Sequence, residues 1–127
     1  MKVILVNGSP REKGCTYTAL CEVAGALEKN GIETEIFQVG AKPIAGCIGC
    51  NVCLKNGRCF VDDPVNEFVE KAKTADGFVF GSPVHYAAAS GAITSFLDRA
   101  FYGKGNVFAG SRGSSGELQT RRRGIRV

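Results

Sequence analysis

Two runs of consecutive apolar residues and one alternating stretch punctuate a chain whose other apolar positions fall mostly at helical spacing. Val3-Ile4-Leu5-Val6 and Phe78-Val79-Phe80, the latter between Gly77 and Gly81, lack any polar alternation, which is the pattern of strands covered on both faces of a parallel sheet. Ile32 to Val39 alternates instead, with Ile32, Thr34, Ile36 and Gln38 on one side and Glu33, Glu35, Phe37 and Val39 on the other. That pattern predicts a strand near a sheet edge. Between these strands, Leu20, Val23, Ala24 and Leu27 mark a helix that Asn30-Gly31 stops. Asp63-Pro64 supplies an N-cap and first position for a second helix, whose buried face is Val65, Phe68, Val69 and Ala72. Ser90 caps a third helix carrying Ile93, Phe96, Leu97, Ala100 and Phe101.

The resulting order is strand, helix, strand, long loop, helix, strand, helix. Such alternation predicts an α/β fold with a parallel sheet and right-handed crossovers. Ligands in such sheets bind beyond the carboxyl ends of the strands, where loops lead into helix N-termini. Two loops qualify, Asn7 to Thr18 and Ser82 to Ser90.

Composition narrows the class without naming an activity. The chain has 127 residues, 44% apolar and 22% charged, as in an ordinary soluble single domain. No apolar run approaches the roughly 18 residues of a membrane span. The apolar run after Met1-Lys2 is too short for a signal peptide, so a cytoplasmic location is expected. The net charge of +4 comes entirely from the last 17 residues, which hold five Arg against Glu117. Arg121-Arg122-Arg123 and Arg126 have no interleaved aromatics, so no nucleic-acid partner is expected.

The first loop, Asn7-Gly8-Ser9-Pro10-Arg11-Glu12-Lys13-Gly14-Cys15-Thr16-Tyr17-Thr18, offers hydroxyls, backbone N–H groups and an arginine at a helix N-terminus. That chemistry suits a phosphate monoester. The loop has neither the dinucleotide glycine fingerprint nor a Walker lysine, and an ordinary polar turn fits the same residues.

Gly40 to Asp62 is a long connection holding four of the six cysteines. Cys47, Cys50 and Cys53 stand at three-residue steps and Cys59 follows, a C-x2-C-x2-C run of the kind that wraps an iron–sulfur cluster. Phe60 follows Cys59 where a ferredoxin run has proline. Four thiolates also make a structural zinc site, and free redox thiols are the third reading.

Three motifs in order carry a resemblance: the Gly8-Ser9-Pro10-Arg11 turn, Gly81-Ser82-Pro83-Val84-His85-Tyr86, and Phe96-Leu97-Asp98-Arg99. Together they resemble the flavodoxin-like NADPH-dependent FMN reductases, with the iron–sulfur flavoproteins as the nearest branch, over about residues 1 to 110. The resemblance implies a three-layer flavodoxin-like sheet and an NAD(P)H-dependent FMN oxidoreductase that passes electrons to a small-molecule acceptor. It implies that Ser9, Arg11, Cys15, Thr16, Tyr17 and Thr18 hold or line the FMN phosphate, and that Pro83, Val84, His85 and Tyr86 lie against the isoalloxazine ring. No protein nucleophile is required, and no catalytic side chain is assigned. Cys47, Cys50, Cys53 and Cys59 would ligate a 4Fe-4S cluster, as that branch shows a compact four-cysteine arrangement. A homodimer or higher homo-oligomer is the family expectation. Asp98 and Arg99 read as structural, an ion pair or a dimer contact. The alternative function is a non-catalytic electron-transfer or metal-binding flavoprotein fragment.

A flavodoxin-like sheet has five strands, and only three have candidates. Ser111 to Val127 is basic and without periodicity, so the domain is expected over 1–110 and a disordered tail over 111–127. A reading-frame shift near Ser111 is one hypothesis for this change, and it fails if no shifted frame of the gene continues the family pattern. The loss leaves the third strand as an open edge with Phe78, Val79 and Phe80 poorly covered, which predicts marginal stability or self-association.

Overall fold

The computed structural model describes residues 1–108, 118–121 and 124–126. The apolar runs form β1 (Lys2–Asn7) and β3 (Gly77–Pro83), and the alternating stretch forms β2 (Glu33–Gln38). The helical spacings become α1 (Cys15–Lys29), α3 (Pro64–Ala72) and α4 (Gly91–Phe108). A short helix, α2 (Val52–Asn56), interrupts the long loop. Two further strands follow, β4 (Leu118–Arg121) and β5 (Gly124–Arg126), in the sheet order β2-β1-β3-β4-β5.

β1 pairs in parallel with β2 on one side and β3 on the other, so its side chains are covered on both faces. Ile4 and Val6 face α3 and α4, joining Phe37, Phe68, Phe78 and Phe96 in the larger core. Val3 and Leu5 face α1, joining Leu20 and Ala24. Helices therefore cover both faces, the three-layer arrangement of a flavodoxin-like fold. Phe68 anchors the larger core, with ring centroids of Phe37, Phe78, Phe80, Phe96 and Phe108 between 5.0 and 6.1 Å from its own.

The helix starts follow the sequence signals. Asp63 accepts a hydrogen bond from Val65 N–H at 3.1 Å, with Pro64 in the first turn. Ser90 Oγ accepts from Ile93 N–H at 3.5 Å.

The C-terminal part departs from expectation in two ways. α4 runs on to Phe108, whose ring lies 5.2 Å from that of Phe78, and Phe101 lies 6.0 Å from Phe80. Phe78 is therefore buried and Phe80 half-buried, not poorly covered. Beyond Gly110, where no strand was expected, β4 pairs in parallel with β3 at Gly81 to Pro83 and β5 turns back antiparallel on β4. Backbone pairing at an edge needs no buried side chains, so an apolar pattern was not required there. Residues 111–117, also assigned to the tail, lie outside the described residues.

Candidate functional site

The order β2-β1-β3 puts a topological switch at β1, the place where doubly wound sheets of this order bind a ligand. Asn7 and Gly81 are register partners at the ends of β1 and β3, and Gly8 N–H donates to Gly81 O at 2.8 Å. The two candidate loops are thus joined at their roots. A Cβ on Gly8 would stand 2.8 Å from Gly81 O and 2.9 Å from Ile93 Cβ, and a Cβ on Gly81 would stand 2.8 Å from Thr16 Cγ2. Glycine at both positions permits this approach.

Fully buried Asn7 shapes the first loop from inside. Its Nδ2 donates to Gln38 Oε1 at 2.7 Å and to the carbonyls of Arg11 and Glu12 at 3.4 Å, while Oδ1 accepts from Ser9 N–H at 3.1 Å. Gln38, its register partner on β2, donates from Nε2 to Ser9 O at 2.7 Å. Ser9 Oγ accepts from Arg11 N–H at 3.2 Å. The loop's shape is held by hydrogen bonds within the chain.

It leads into a helix start with free donors. The N-cap of α1 is Gly14, which has no side chain to cap with, and no acid occupies the first turn. The unpaired N–H groups there and the helix dipole favour an anion. Ser9 and Thr16 are buried, Tyr17 is half-buried, and Arg11, Cys15 and Thr18 are exposed. Thr18 donates its hydroxyl proton to Gly14 O at 3.2 Å, so it can only accept from a ligand. Tyr17 shares a hydrogen bond with Cys21, which raises the phenol pKa.

The second loop is a tight excursion. Ser82 Oγ accepts from Ser90 N–H at 2.9 Å and donates to Pro83 O at 2.9 Å, and Val84 bridges Ala89. Between them Ala87 has φ +53°, a left-handed conformation costly for alanine. Pro83 and Val84 are half-buried, whereas His85 and Tyr86 project into solvent, Tyr86 with 93% of its surface exposed. Backbone groups, not the histidine ring, line the loop's root.

The four clustered cysteines gather elsewhere. A cavity of about 150 Å³ is lined by Cys47, Cys50, Cys53 and Cys59, with Asn51, Arg99, Tyr102 and Gly103 among its other residues, and none from either loop above. All four thiols are free. Among the described residues, however, no three metal-ligating groups stand close enough to hold one ion. Cys53 rides on α2 while Cys47 and Cys50 precede it in exposed chain, so the three-residue steps do not share a single helical face. Asn51 is left-handed at φ 59°, and its Oδ1 accepts from the Tyr102 hydroxyl at 3.4 Å. Gly103 lets α2 approach α4, since a Cβ there would meet Cys53 Sγ at 2.9 Å.

Side chains from α3 and α4 hold this segment in place. Asn66 Oδ1 accepts from Cys59 N–H at 3.1 Å, and its Nδ2 donates to the carbonyls of Cys59 and Val61 at 3.0 and 2.9 Å. Arg99, 5% exposed, makes a bidentate pair with Asp63, Nη2 to Oδ1 at 2.9 Å and Nη1 to Oδ2. Its Nη1 also donates to Ala45 O at 3.3 Å and its Nη2 to Val61 O at 3.2 Å. Burial works against the charged guanidinium, but Asp63 and then Cys59 more than offset it, so its pKa stands above the ordinary value. Arg99 is thus the ion-pair residue expected, with Asp63 as its partner, and Asp98 is exposed.

Asn7, Gln38 and Asn66 were not among the sequence candidates. Nothing local marks Asn7 or Gln38, because their pairing depends on strand register. Arg99 had a signal that was open to reading: it falls three residues after Phe96, on the apolar stripe of its helix.

A doubly wound sheet with a pre-shaped anion loop at the β1 switch is the architecture of flavodoxin-like proteins. The profile of the NADPH-dependent FMN reductase family matches residues 1–121, and the chain belongs to that family. The match extends past the point, near residue 110, where the recognisable motifs end. An iron–sulfur flavoprotein of Methanocaldococcus jannaschii is 41% identical over 100 residues, covering 79% of this chain and 52% of that protein. Another, of Archaeoglobus fulgidus, is 32% identical over 116 residues, covering 91% and 53%. The chain spans about half the length of these relatives. Among solved structures, the flavoenzyme NAD(P)H:(acceptor) oxidoreductase of Paracoccus denitrificans superposes with a TM-score of 0.65 at 19% identity, covering 94% of this chain and 60% of that one. No described helix is long and apolar enough to cross a membrane.

Proposed function

We propose that this chain binds FMN at the β1 switch and belongs to an NAD(P)H-dependent FMN oxidoreductase that delivers electrons to a small-molecule acceptor. The observation that carries the proposal is the open N-terminus of α1, uncapped and flanked by Arg11, with its loop preset by Asn7 and Gln38. Donors already oriented toward an anion cost little to order on binding. Ser9, Arg11, Thr16 and the first N–H groups of α1 would take the phosphate, with Cys15 and Tyr17 beside them and Thr18 limited to accepting. Pro83, Val84, His85 and Tyr86 would lie along the ring, where the strained backbone at Ala87 fixes the direction of nearby peptide groups. FMN, when bound, supplies a hydride acceptor that gives up electrons one or two at a time.

For the cysteines, we read Cys47, Cys50, Cys53 and Cys59 as ligands of an iron–sulfur cluster. Support comes from the donor set, from four free thiols around one cavity, and from a neighbouring buried N–H suited to an anionic sulfur group. A single zinc ion fits less well, as no three of these groups meet at one point among the described residues.

A flavin titration followed by fluorescence quenching tests binding, and NAD(P)H consumption with added acceptors tests turnover. Binding with turnover supports the oxidoreductase. Binding without turnover supports the second reading, an electron carrier or flavoprotein fragment. Absence of flavin binding refutes both.

A further inference from the structure

The cysteine segment is anchored at both ends to one side chain, 54 residues from one end and 38 from the other. Arg99 spends Nη1 on Ala45 O and Asp63, and Nη2 on Val61 O and Asp63. Ala45 lies two residues before Cys47, and Val61 two after Cys59. Of its five N–H donors, two thus hold the carbonyls that flank the segment and two hold Asp63, the N-cap of α3. The fifth, on Nε, is buried and has no hydrogen-bond partner among the described residues. Arg99 and Cys59 line one cavity, which the other three thiols share.

A buried donor left without an acceptor costs about 1–3 kcal/mol. Such a cost at a cavity wall is offset when a ligand with an acceptor enters. The wall here offers a permanent cation and one free N–H beside sulfur, which suits an anionic sulfur-bearing group.

We propose that Arg99 is the positioning residue of the cysteine site: its terminal nitrogens hold both ends of the cysteine segment, and its Nε–H donates to a sulfur of the group the four thiols bind. This rests on the cluster reading above. A hydrogen bond to sulfur stabilises the more negative, reduced state, so it raises the reduction potential. Clamping the ends limits how far the thiols must be gathered, so it slows loss of the group.

The two roles separate in two variants. Arg99→Lys keeps the charge opposite Asp63 but loses the fork and Nε–H. Asn66→Ala loosens the backbone of Cys59 and leaves Arg99 whole. Both are checked for cooperative unfolding, with the Arg99→Gln/Asp63→Asn double variant, which leaves no uncompensated charge, measured alongside. Each is loaded anaerobically with ferrous iron and sulfide, then followed for iron retention against a chelator and for midpoint potential against one-electron dyes.

Retention is expected to fall at least about tenfold in all three variants, the scale of lost outer-shell support. Only the Arg99 variants should also lower the potential, disfavouring reduction by about tenfold, or about 59 mV for one electron. Unchanged retention and potential in the Arg99 variants overturn the proposal while the cluster reading stands. An equal potential shift in Asn66→Ala overturns the sulfur hydrogen bond. A wild-type chain that takes up no iron and sulfide overturns both readings. Before loading, amide hydrogen exchange over residues 45–63 should be faster in the Arg99 variants, and wild-type protection there refutes the clamp.

Discussion

Replacing Gly8 by alanine tests the contact that joins the roots of the two candidate flavin loops. The added Cβ would stand 2.8 Å from Gly81 O, 2.9 Å from Ile93 Cβ and 3.0 Å from Ile93 Cδ1. Neither neighbour can retreat easily: the carbonyl belongs to β3, and Ile93 is 2% exposed at the start of α4. Overpacking of this kind costs about 1–3 kcal/mol. Stretching the 2.8 Å bond from Gly8 N–H to Gly81 O forfeits about 1 kcal/mol more. At roughly 4 °C per kcal/mol for a chain of this size, the melting temperature should fall by roughly 8–16 °C. The loop roots would part, so FMN affinity should weaken at least about tenfold, equivalent to about 1.4 kcal/mol. Gly25→Ala is the control, because a Cβ there meets nothing within 4 Å in the middle of α1. It should stabilise by about 0.5–1 kcal/mol through reduced chain entropy. Circular dichroism melts and flavin fluorescence titrations read both quantities. If Gly8→Ala melts within a degree or two of the wild type and binds FMN equally well, the two loops are not locked as described.

Other perturbations probe other links. Asn7→Ala strands the Gln38 amide and the Ser9, Arg11 and Glu12 backbone groups, so a loss of about 1–3 kcal/mol in urea unfolding is expected, with weaker FMN binding. Phe68→Ala opens a hole among five aromatic rings and should cost about 3–5 kcal/mol, read as loss of near-ultraviolet ellipticity. Glu35 has its pKa lowered from 4.5, chiefly by the Lys71 hydrogen bond and then by Lys2. A depressed carboxylate contributes stability above its unfolded pKa and loses it as pH falls through the folded value, so Glu35→Gln should matter at pH 7 and cease to matter in strong acid. With its side chain 29% exposed, the effect stays below about 1 kcal/mol after solvent screening and shrinks in salt. Equal wild-type and variant stabilities at pH 7 in low salt refute it.

What was legible in the sequence was whatever local spacing determines. β1 and β3 announce themselves as unbroken apolar runs, and Asp63-Pro64 and Ser90 mark helix starts that the structure reproduces. The alternation from Ile32 to Val39 correctly put β2 at a sheet edge. Long-range pairings were not legible. Asn7 meets Gln38 across 31 positions and Arg99 meets Asp63 across 36, and neither distance leaves a trace in composition. The five residues of α2 are too few to show a period. α4 continues past Phe101, the last apolar position that marked it, and through Gly103 and Gly105, because tertiary packing of Phe108 outweighs the weak helix propensity of glycine.

Helix α4 belongs to both sites. Its first cap, Ser90, closes the loop after β3, and nine residues later Arg99 reaches the cysteine segment. At 1.5 Å of rise per residue, the two points stand about 14 Å apart along the axis. One residue inserted between them would turn Arg99 by about 100° away from Asp63. Descendants of this chain can therefore vary the exposed stretch from Ala41 to Pro43, ahead of buried Ile44 and clamped Ala45, with little penalty, but between Ser90 and Arg99 the residue count itself is under constraint, independent of which side chains fill it.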